Sequence, residues 1–91
     1  MKYRSRVDIA AAILEITREG ARRTEILYKA YMSYPQLRGY LDTLTGSGMI
    51  RYTGDDEKIY YTTEKGRRLL DMYRELDNMI PQENMLTIIK E

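Results

Sequence analysis

Few side chains in this sequence are able to carry out acid–base or nucleophilic chemistry. Cysteine and histidine are absent, which excludes a thiolate nucleophile, an imidazole base and a disulfide. The three serines, Ser5, Ser33 and Ser47, have no histidine to activate them. Fourteen Asp and Glu residues are scattered along the chain; two of them could pair as acid and base, but a metal site would have to be built from carboxylates alone. We therefore predict that the protein is not an enzyme and that it holds no metal and no cofactor.

Length and charge narrow the remaining classes. Ninety-one residues are enough for one domain with a modest core. The hydrophobic content of 43% is too high for a disordered tail, and no window is apolar enough for a membrane span. Residues 1–54 carry nine Lys and Arg against five Asp and Glu, whereas residues 55–91 carry six against nine. A basic front half is typical of a polyanion-binding face, although ordinary surface decoration would give the same distribution.

Two helices are predicted before residue 32. The first spans residues 7–19, where apolar side chains recur at helical spacing: Ile9, Ala12, Ile13 and Ile16. Leu14 lies on a second face, which predicts cover on two sides, and Gly20 is the predicted C-terminal cap. Thr24 is the predicted N-terminal cap of a second helix over residues 25 to about 31.

The clearest helix start in the sequence is at Ser33. Ser33 and Gln36 have the spacing of a capping box, and Pro35 is tolerated in a first turn. A third helix, at about residues 34–45, carries three leucines on one face: Leu37, Leu41 and Leu44. So few residues separate this helix from the second that the two must cross sharply, as in a helix-turn-helix.

Beyond residue 48 the apolar period changes from helical to alternating. Residues 49–53 and 58–62 are rich in branched and aromatic side chains and predict two strands joined by a polar turn. Thr63 is the predicted cap of a fourth helix that runs to about residue 80.

Three helices, a hairpin and a closing helix predict a mainly α fold with a small β-hairpin, the winged helix-turn-helix. We assign residues 1–63 to the winged helix-turn-helix core and residues 64–91 to a C-terminal helical dimerisation segment, within one structural domain.

The face of the third helix opposite its leucines is the predicted contact with double-stranded DNA, because a helix-turn-helix inserts the start of this helix into the major groove. Gln36 is able to reach an adenine edge, and Arg38 a guanine edge or a phosphate. Gly39 would let the helix backbone approach closely, whereas Asp42 argues against deep insertion. The alternative is that this face is simply the solvent side of an amphipathic helix.

Cations around the second helix are candidate phosphate contacts, which set affinity but carry no sequence information. Arg22 and Arg23 precede that helix, and Lys29 lies farther along it. Three more cations form an N-terminal arm that would follow a groove of the DNA or remain solvated: Lys2, Arg4 and Arg6.

The predicted hairpin tip is acidic at residues 55–57, where phosphate-binding wings usually carry Lys or Arg. We expect the tip to face a basic partner or solvent, with Arg51 and Lys58 on the strands offsetting its charge. The predicted DNA-binding residues are Arg22, Arg23, Lys29, Ser33, Tyr34, Gln36, Arg38, Gly39, Thr43, Arg51 and Lys58.

Two stretches also resemble a known family. Residues 28–44, YKAYMSYPQLRGYLDTL, resemble the helix-turn-helix of small archaeal winged-helix DNA-binding proteins, and most of all the Sulfolobus ten-kilodalton "10a" chromatin-associated group. Residues 60–66, YYTTEKG, are similar to the junction between wing and last helix in many winged-helix regulators. The resemblance implies a homodimer that pairs its C-terminal helices as an antiparallel coiled coil and binds double-stranded DNA, in transcription control or chromosome organisation.

Apolar residues of the fourth helix are spaced four, three and four residues apart, as along the seam of a two-stranded coiled coil: Leu69, Tyr73, Leu76 and Ile80. A short helix after Pro81 would add Met85 and Ile89 to this predicted dimer interface. The alternative is that the whole stripe folds back on its own domain.

The sequence thus predicts a dimeric DNA-binding regulator or chromosome-organising protein, cytoplasmic and associated with the nucleoid. The alternative is a winged-helix module that binds proteins within a larger assembly, which the near-neutral net charge of +1 and the acidic hairpin tip favour.

Overall fold

Four helices and three short strands make up residues 5–79, the part of the chain that the structure, a computed structural model, describes. The elements are α1 (Arg6–Ile16), β1 (Ala21–Arg22), α2 (Arg23–Ala30), α3 (Tyr34–Gly46), β2 (Ile50–Thr53), β3 (Ile59–Thr62) and α4 (Glu64–Met79). The order confirms the predicted winged helix-turn-helix, in which α2 and α3 form the helix-turn-helix and β2, β3 and the turn between them form the wing.

The wing hairpin belongs to an antiparallel sheet of three strands in the order β1-β3-β2. The hairpin confirms the prediction, and in the register that the structure shows Arg51 lies opposite Tyr61. The third strand, β1, was not predicted, because a two-residue strand has no periodicity of its own. It exists because Ala21 pairs with Tyr60, nearly forty residues later in the chain.

The new strand changes the boundaries of both flanking helices. α1 ends at Ile16 rather than near residue 19, with the buried Thr17 as its C-terminal cap. Gly20 is therefore not the helix cap. Its φ of +101° turns the chain into β1, at a point where a Cβ would lie 2.7 Å from the ring of Tyr61.

The predicted cap of α2 was also wrong. The helix begins at Arg23, so Thr24 lies inside its first turn, and the N-cap Arg22 makes no side-chain capping bond. Pairing of β1 with β3 holds Arg22 extended, and this pairing sets where the helix starts. At the other end Tyr31 has a φ of +54°, the left-handed conformation that reverses the chain toward α3.

The core lies where α1, α2, α3 and α4 meet the inner face of the sheet. The three leucines of α3 are buried in it, as the helical wheel predicted: Leu37, Leu41 and Leu44. Ile13 and Leu14 are both fully buried, which confirms that α1 is covered on two sides. Ile50 and Tyr60 bring the two strands of the wing onto the same core.

The start of α4 is fixed against the wing. Thr63 caps the helix as predicted, because its Oγ1 accepts a hydrogen bond from the Gly66 amide at 3.2 Å. The Thr63 hydroxyl also donates to the Gly48 carbonyl at 2.6 Å. Gly66 is buried, and a Cβ there would lie 2.4 Å from the carbonyl oxygen of Met49, the residue before β2, so only glycine lets α4 approach the backbone there this closely.

Candidate nucleic-acid interface

The first turn of α3 is built by the predicted capping box. Ser33 Oγ accepts a hydrogen bond from the Gln36 amide at 3.4 Å. Gln36 Oε1 accepts in return from the Ser33 amide at 3.2 Å and from the Ser33 hydroxyl at 3.1 Å. These two bonds occupy both lone pairs of the carboxamide oxygen. The predicted bidentate contact of Gln36 with adenine would require the side chain to leave the box.

The exposed face of α3 contains the predicted contact residues, and three of them, Gln36, Gly39 and Thr43, line one groove. Arg38 is exposed and, within residues 5–79, forms no hydrogen bond or ion pair. Gly39 leaves the middle of the helix open, since a Cβ built there has no atom within 4 Å.

Sequence reasoning missed the place of one cation on this face. Arg6 was assigned to a loose N-terminal arm, but it begins α1 and lines the same groove as Gln36 and Gly39. The sequence does carry a signal for a helix start here, because serine is a favoured N-cap residue. In the structure Ser5 acts as that cap, since its Oγ accepts a hydrogen bond from the Asp8 amide at 3.2 Å. The packing of α1 beside α3 is a tertiary contact, which the pattern of neighbouring residues does not predict.

Arg23 connects the start of α2 to the start of α3. Its Nη1 donates to the Tyr34 hydroxyl at 2.9 Å. The guanidinium carbon also lies 4.9 Å from the centre of the Tyr34 ring, within cation–π distance. Two residues predicted separately as DNA contacts therefore form one unit beside the capping box.

Arg22 is paired with the acidic wing tip. Its Nη1 lies 3.2 Å from Glu57 Oε1, and both side chains are more than half exposed. Beneath this pair is a pocket of about 180 Å³, also lined by Asp56 and Lys58. The acidic tip was expected to face a basic partner or solvent. For Glu57 that basic partner is Arg22 of the same domain.

The remaining predicted phosphate contact on α2, Lys29, has an acidic partner one turn earlier. Lys29 Nζ lies 3.1 Å from Glu25 Oε2. The hydrogen bond from Lys29 and the charge of its ammonium group lower the pKa of the Glu25 carboxyl.

The two wing cations contact aromatic rings. Arg51 lies 4.6 Å from the centre of the Tyr61 ring, and Lys58 lies 4.5 Å from that of Tyr52. Tyr52 packs in turn against Tyr60 at a centroid distance of 5.7 Å. The two cations thus pack against tyrosine rings, Arg51 on β2 and Lys58 just before β3 rather than on it as predicted, and the negative charge lies at the tip.

The predicted dimer seam on α4 is divided between the core and the surface. Leu69 and Tyr73 pack partly buried against the core of their own domain. Three apolar side chains point outward and form what we call the α4 stripe: Met72, Leu76 and Met79, which are 60%, 62% and 71% exposed. Three residues of the predicted interface lie outside the described residues: Ile80, Met85 and Ile89.

Polar contacts fix the buried side of α4 to α1. The Tyr73 hydroxyl donates to Asp8 Oδ1, and Arg74 pairs with Glu15. The hydrogen bond to Asp8, together with partial burial, raises the pKa of Tyr73 to about 12. These contacts hold α4 in one rotation about its axis and so determine which side chains form the α4 stripe.

Within residues 5–79 there is no group of His, Cys, Asp and Glu side chains that could hold a metal ion. The helices of the same range are too short or too polar to cross a membrane.

The winged helix-turn-helix family matches this sequence over residues 3–81. The chain belongs to that family. Among the winged helix-turn-helix structures, Sso10a-2, a DNA-binding protein from Sulfolobus solfataricus, is 28% identical with a TM-score of 0.80, over 96% of this chain and 90% of its own. This similarity confirms the archaeal resemblance of the 28–44 stretch. None of the curated proteins matches the sequence.

Two further winged helix-turn-helix structures belong to regulators. A MarR-family transcriptional regulator from Silicibacter pomeroyi is 27% identical with a TM-score of 0.60, over 90% of this chain and 63% of its own. The transcriptional repressor CouR, bound to a 23-mer DNA duplex, shares the fold with 20% identity and a TM-score of 0.60, over 97% of this chain and 71% of its own. The chain thus has the fold of DNA-binding regulators.

Proposed function

We propose that the protein binds double-stranded DNA as a homodimeric transcriptional regulator or chromosome-organising protein, cytoplasmic and associated with the nucleoid, with α3 in the major groove. The observation that carries the proposal is the exposed start of α3, where Arg38 is unpaired within the described residues and Gly39 leaves the helix surface open. Sso10a-2 is a DNA-binding protein, and CouR has been captured on a duplex, which supports the same partner here.

Each part of the helix-turn-helix has its own role in this proposal. Arg38 reads a guanine edge or holds a phosphate, because it is the cation of α3 and has no competing partner among residues 5–79. Gln36 stays in the capping box and fixes the helix start. The Arg23–Tyr34 unit positions a guanidinium beside that start, where it binds a phosphate.

The internal partners of the other cations do not prevent phosphate binding. Arg22 and Lys29 are paired with Glu57 and Glu25 in exposed positions. Exposed pairs of this kind contribute little to stability, because water screens the two charges. A DNA phosphate is therefore able to replace the carboxylate at little cost.

Dimerisation is proposed through the α4 stripe. Met72, Leu76 and Met79 are spaced four and three residues apart, and a second copy of the chain would cover them as in a two-stranded coiled coil. An uncovered apolar strip of this kind marks an association surface. The prediction that Ile80, Met85 and Ile89 take part in the interface concerns residues outside the described range.

Duplex binding measured across a salt series tests the proposal. If Arg22, Arg23, Lys29 and Arg38 of both subunits supply six to eight phosphate contacts, the slope of log K against log salt is about −5 to −7. Absence of binding at low salt would instead favour the protein-interaction module. Its acidic wing tip remains available through Asp55 and Asp56, whereas Glu57 is paired with Arg22.

A further inference from the structure

A groove runs between the first turn of α1 and the exposed face of α3, with a volume of about 380 Å³. We call it the α1–α3 groove. Its lining consists of Arg6, Pro35, Gln36, Gly39, Tyr40 and Thr43. Gly39 widens it, since no atom lies within 4 Å of a Cβ built at that residue.

Among the described residues that line the α1–α3 groove, the charge is positive and comes from Arg6, the only ionised side chain of that set. The remaining polar groups of the set are the amide of Gln36 and the hydroxyls of Tyr40 and Thr43. Arg6 is also the first residue of α1, where unpaired amides give the helix end a partial positive charge. The acid of that turn, Asp8, accepts the hydrogen bond of Tyr73 on α4.

We propose that one backbone strand of the DNA lies in the α1–α3 groove, with Arg6 bound to its phosphate and the open position at Gly39 giving the strand room. This inference rests on the proposed function and adds α1 to the DNA-binding surface. A helix inserted in the major groove has a phosphate backbone on each side of it. Arg6 faces α3 across the groove, where such a backbone would run.

The first test compares Arg6→Ala with Arg18→Ala. Both remove one positive charge from α1 or its end, but Arg18 lies beyond the far end of the helix and is paired with Glu15. Fluorescence anisotropy with a labelled duplex across a salt series supplies the readout. Arg6→Ala should flatten the slope of log K against log salt by about two for a dimer, since each phosphate contact contributes about 0.9. Arg18→Ala should leave slope and affinity unchanged.

The second test uses Gly39→Ala, which changes the shape of the groove and leaves its charge intact. The new methyl group meets no atom, and alanine favours a helix interior over glycine, so the melting temperature should stay equal or rise. Affinity for duplex DNA should nevertheless fall about tenfold, because the methyl group takes the space of the strand. Lower affinity in a variant of undiminished stability separates a binding role from a structural one.

The outcomes distinguish this inference from the function on which it rests. A parent protein that binds no duplex at low salt would overturn both. A parent that binds DNA while Arg6→Ala behaves as Arg18→Ala does would overturn the inference alone. If Gly39→Ala binds DNA with the affinity of the parent, the DNA strand does not lie in the α1–α3 groove and the inference is wrong. If sedimentation shows that Arg6→Ala is a monomer while the parent is a dimer, a second copy of the chain occupies the groove and the inference is wrong.

Discussion

The hydroxyl oxygen of Thr17 lies 2.8 Å from that of Thr62, and both residues are buried. The Thr62 hydroxyl donates to the Leu14 carbonyl at 2.6 Å, and the Thr17 hydroxyl donates to the Ile13 carbonyl at 2.9 Å. The Thr62 amide also donates to the Thr17 carbonyl at 3.0 Å. This polar contact inside an apolar core ties the end of α1 to β3, and therefore fixes the wing relative to the helices.

Thr62→Val should destabilise the fold by about 1–3 kcal/mol, because it removes the buried hydroxyl that donates to the Leu14 carbonyl and contacts the Thr17 hydroxyl. Urea denaturation followed by circular dichroism would measure the loss. Thr62→Ser is the matched control, since it keeps the hydroxyl and removes only a methyl group. Equal stability of the two variants would mean that the hydroxyl pair contributes nothing.

Gly66→Ala should destabilise the protein by about 1–3 kcal/mol through overpacking, although alanine has the better helix propensity. Its Cβ would lie 2.4 Å from the Met49 carbonyl oxygen and 2.7 Å from Thr62 Cγ2. Gly46→Ala, at the end of α3, meets no atom within 4 Å and serves as the control. A thermal melt in which both variants match the parent would contradict the close approach of α4 to the Met49 carbonyl.

Stability should fall as the pH rises from about 10 to about 12 because of Tyr73. Its pKa is raised to about 12 in the folded protein, against the ordinary value of 10.0. The folded state therefore retains a proton that the unfolded state has already released, so the stabilisation is complete below pH 10 and is lost through pH 12. Denaturation midpoints of the parent and of Tyr73→Phe, taken from pH 8 to 12, should converge as the pH increases. If the difference between the two midpoints stays constant from pH 8 to 12, ionisation of Tyr73 does not cause the pH dependence.

Leu76→Asp should convert the proposed dimer to a monomer, because it places a carboxylate in the centre of the α4 stripe. Sedimentation equilibrium should give about 22 kDa for the parent, twice the chain mass of 10.8 kDa, and about 11 kDa for the variant. Asn78→Asp introduces the same charge at an exposed residue outside the stripe and should remain dimeric. A parent that sediments as a monomer at tens of micromolar would exclude the dimer.

Arg38→Ala should cost about 1–3 kcal/mol of binding at a preferred DNA site and less at other sequences, if Arg38 reads a base edge. Gln36→Ala should act mainly on stability, because it breaks the capping box with Ser33. Selection of sites from random duplexes with the parent and with each variant would show the difference. Identical site preferences for the parent and Arg38→Ala would leave backbone or shape recognition as the mode of binding.

Elements set by neighbouring residues were predicted well. The capping box of Ser33 and Gln36, the leucine face of α3 and the wing strands all follow from short-range spacing. Elements set by distant residues were not predicted. Pairing of Ala21 with Tyr60 creates β1, and that pairing moves the N-cap of α2 from the predicted Thr24 to Arg22.

The candidate site shows the same division. Spacing placed Gln36, Gly39 and Thr43 on one face of α3, and the structure gathers them in one groove. Spacing could not show that Arg6 faces them, because this depends on how α1 packs. An apolar stripe on α4 likewise does not reveal which part is buried, and contacts with Asp8 turn Tyr73 inward while Leu76 stays exposed.

The carboxylates beside Arg22 and Lys29 bear on how long the protein stays on arbitrary DNA. Under the proposed function, each of these cations exchanges a carboxylate for a phosphate, so the net gain per contact is smaller than for a bare cation. A small gain in binding free energy per contact gives fast dissociation from DNA sequences that provide only these phosphate contacts. The residence time on DNA then depends on the cations that have no partner among the described residues, above all Arg38. By shortening each stay on other sequences, Glu57 and Glu25 shorten the time that the protein needs to find a preferred site.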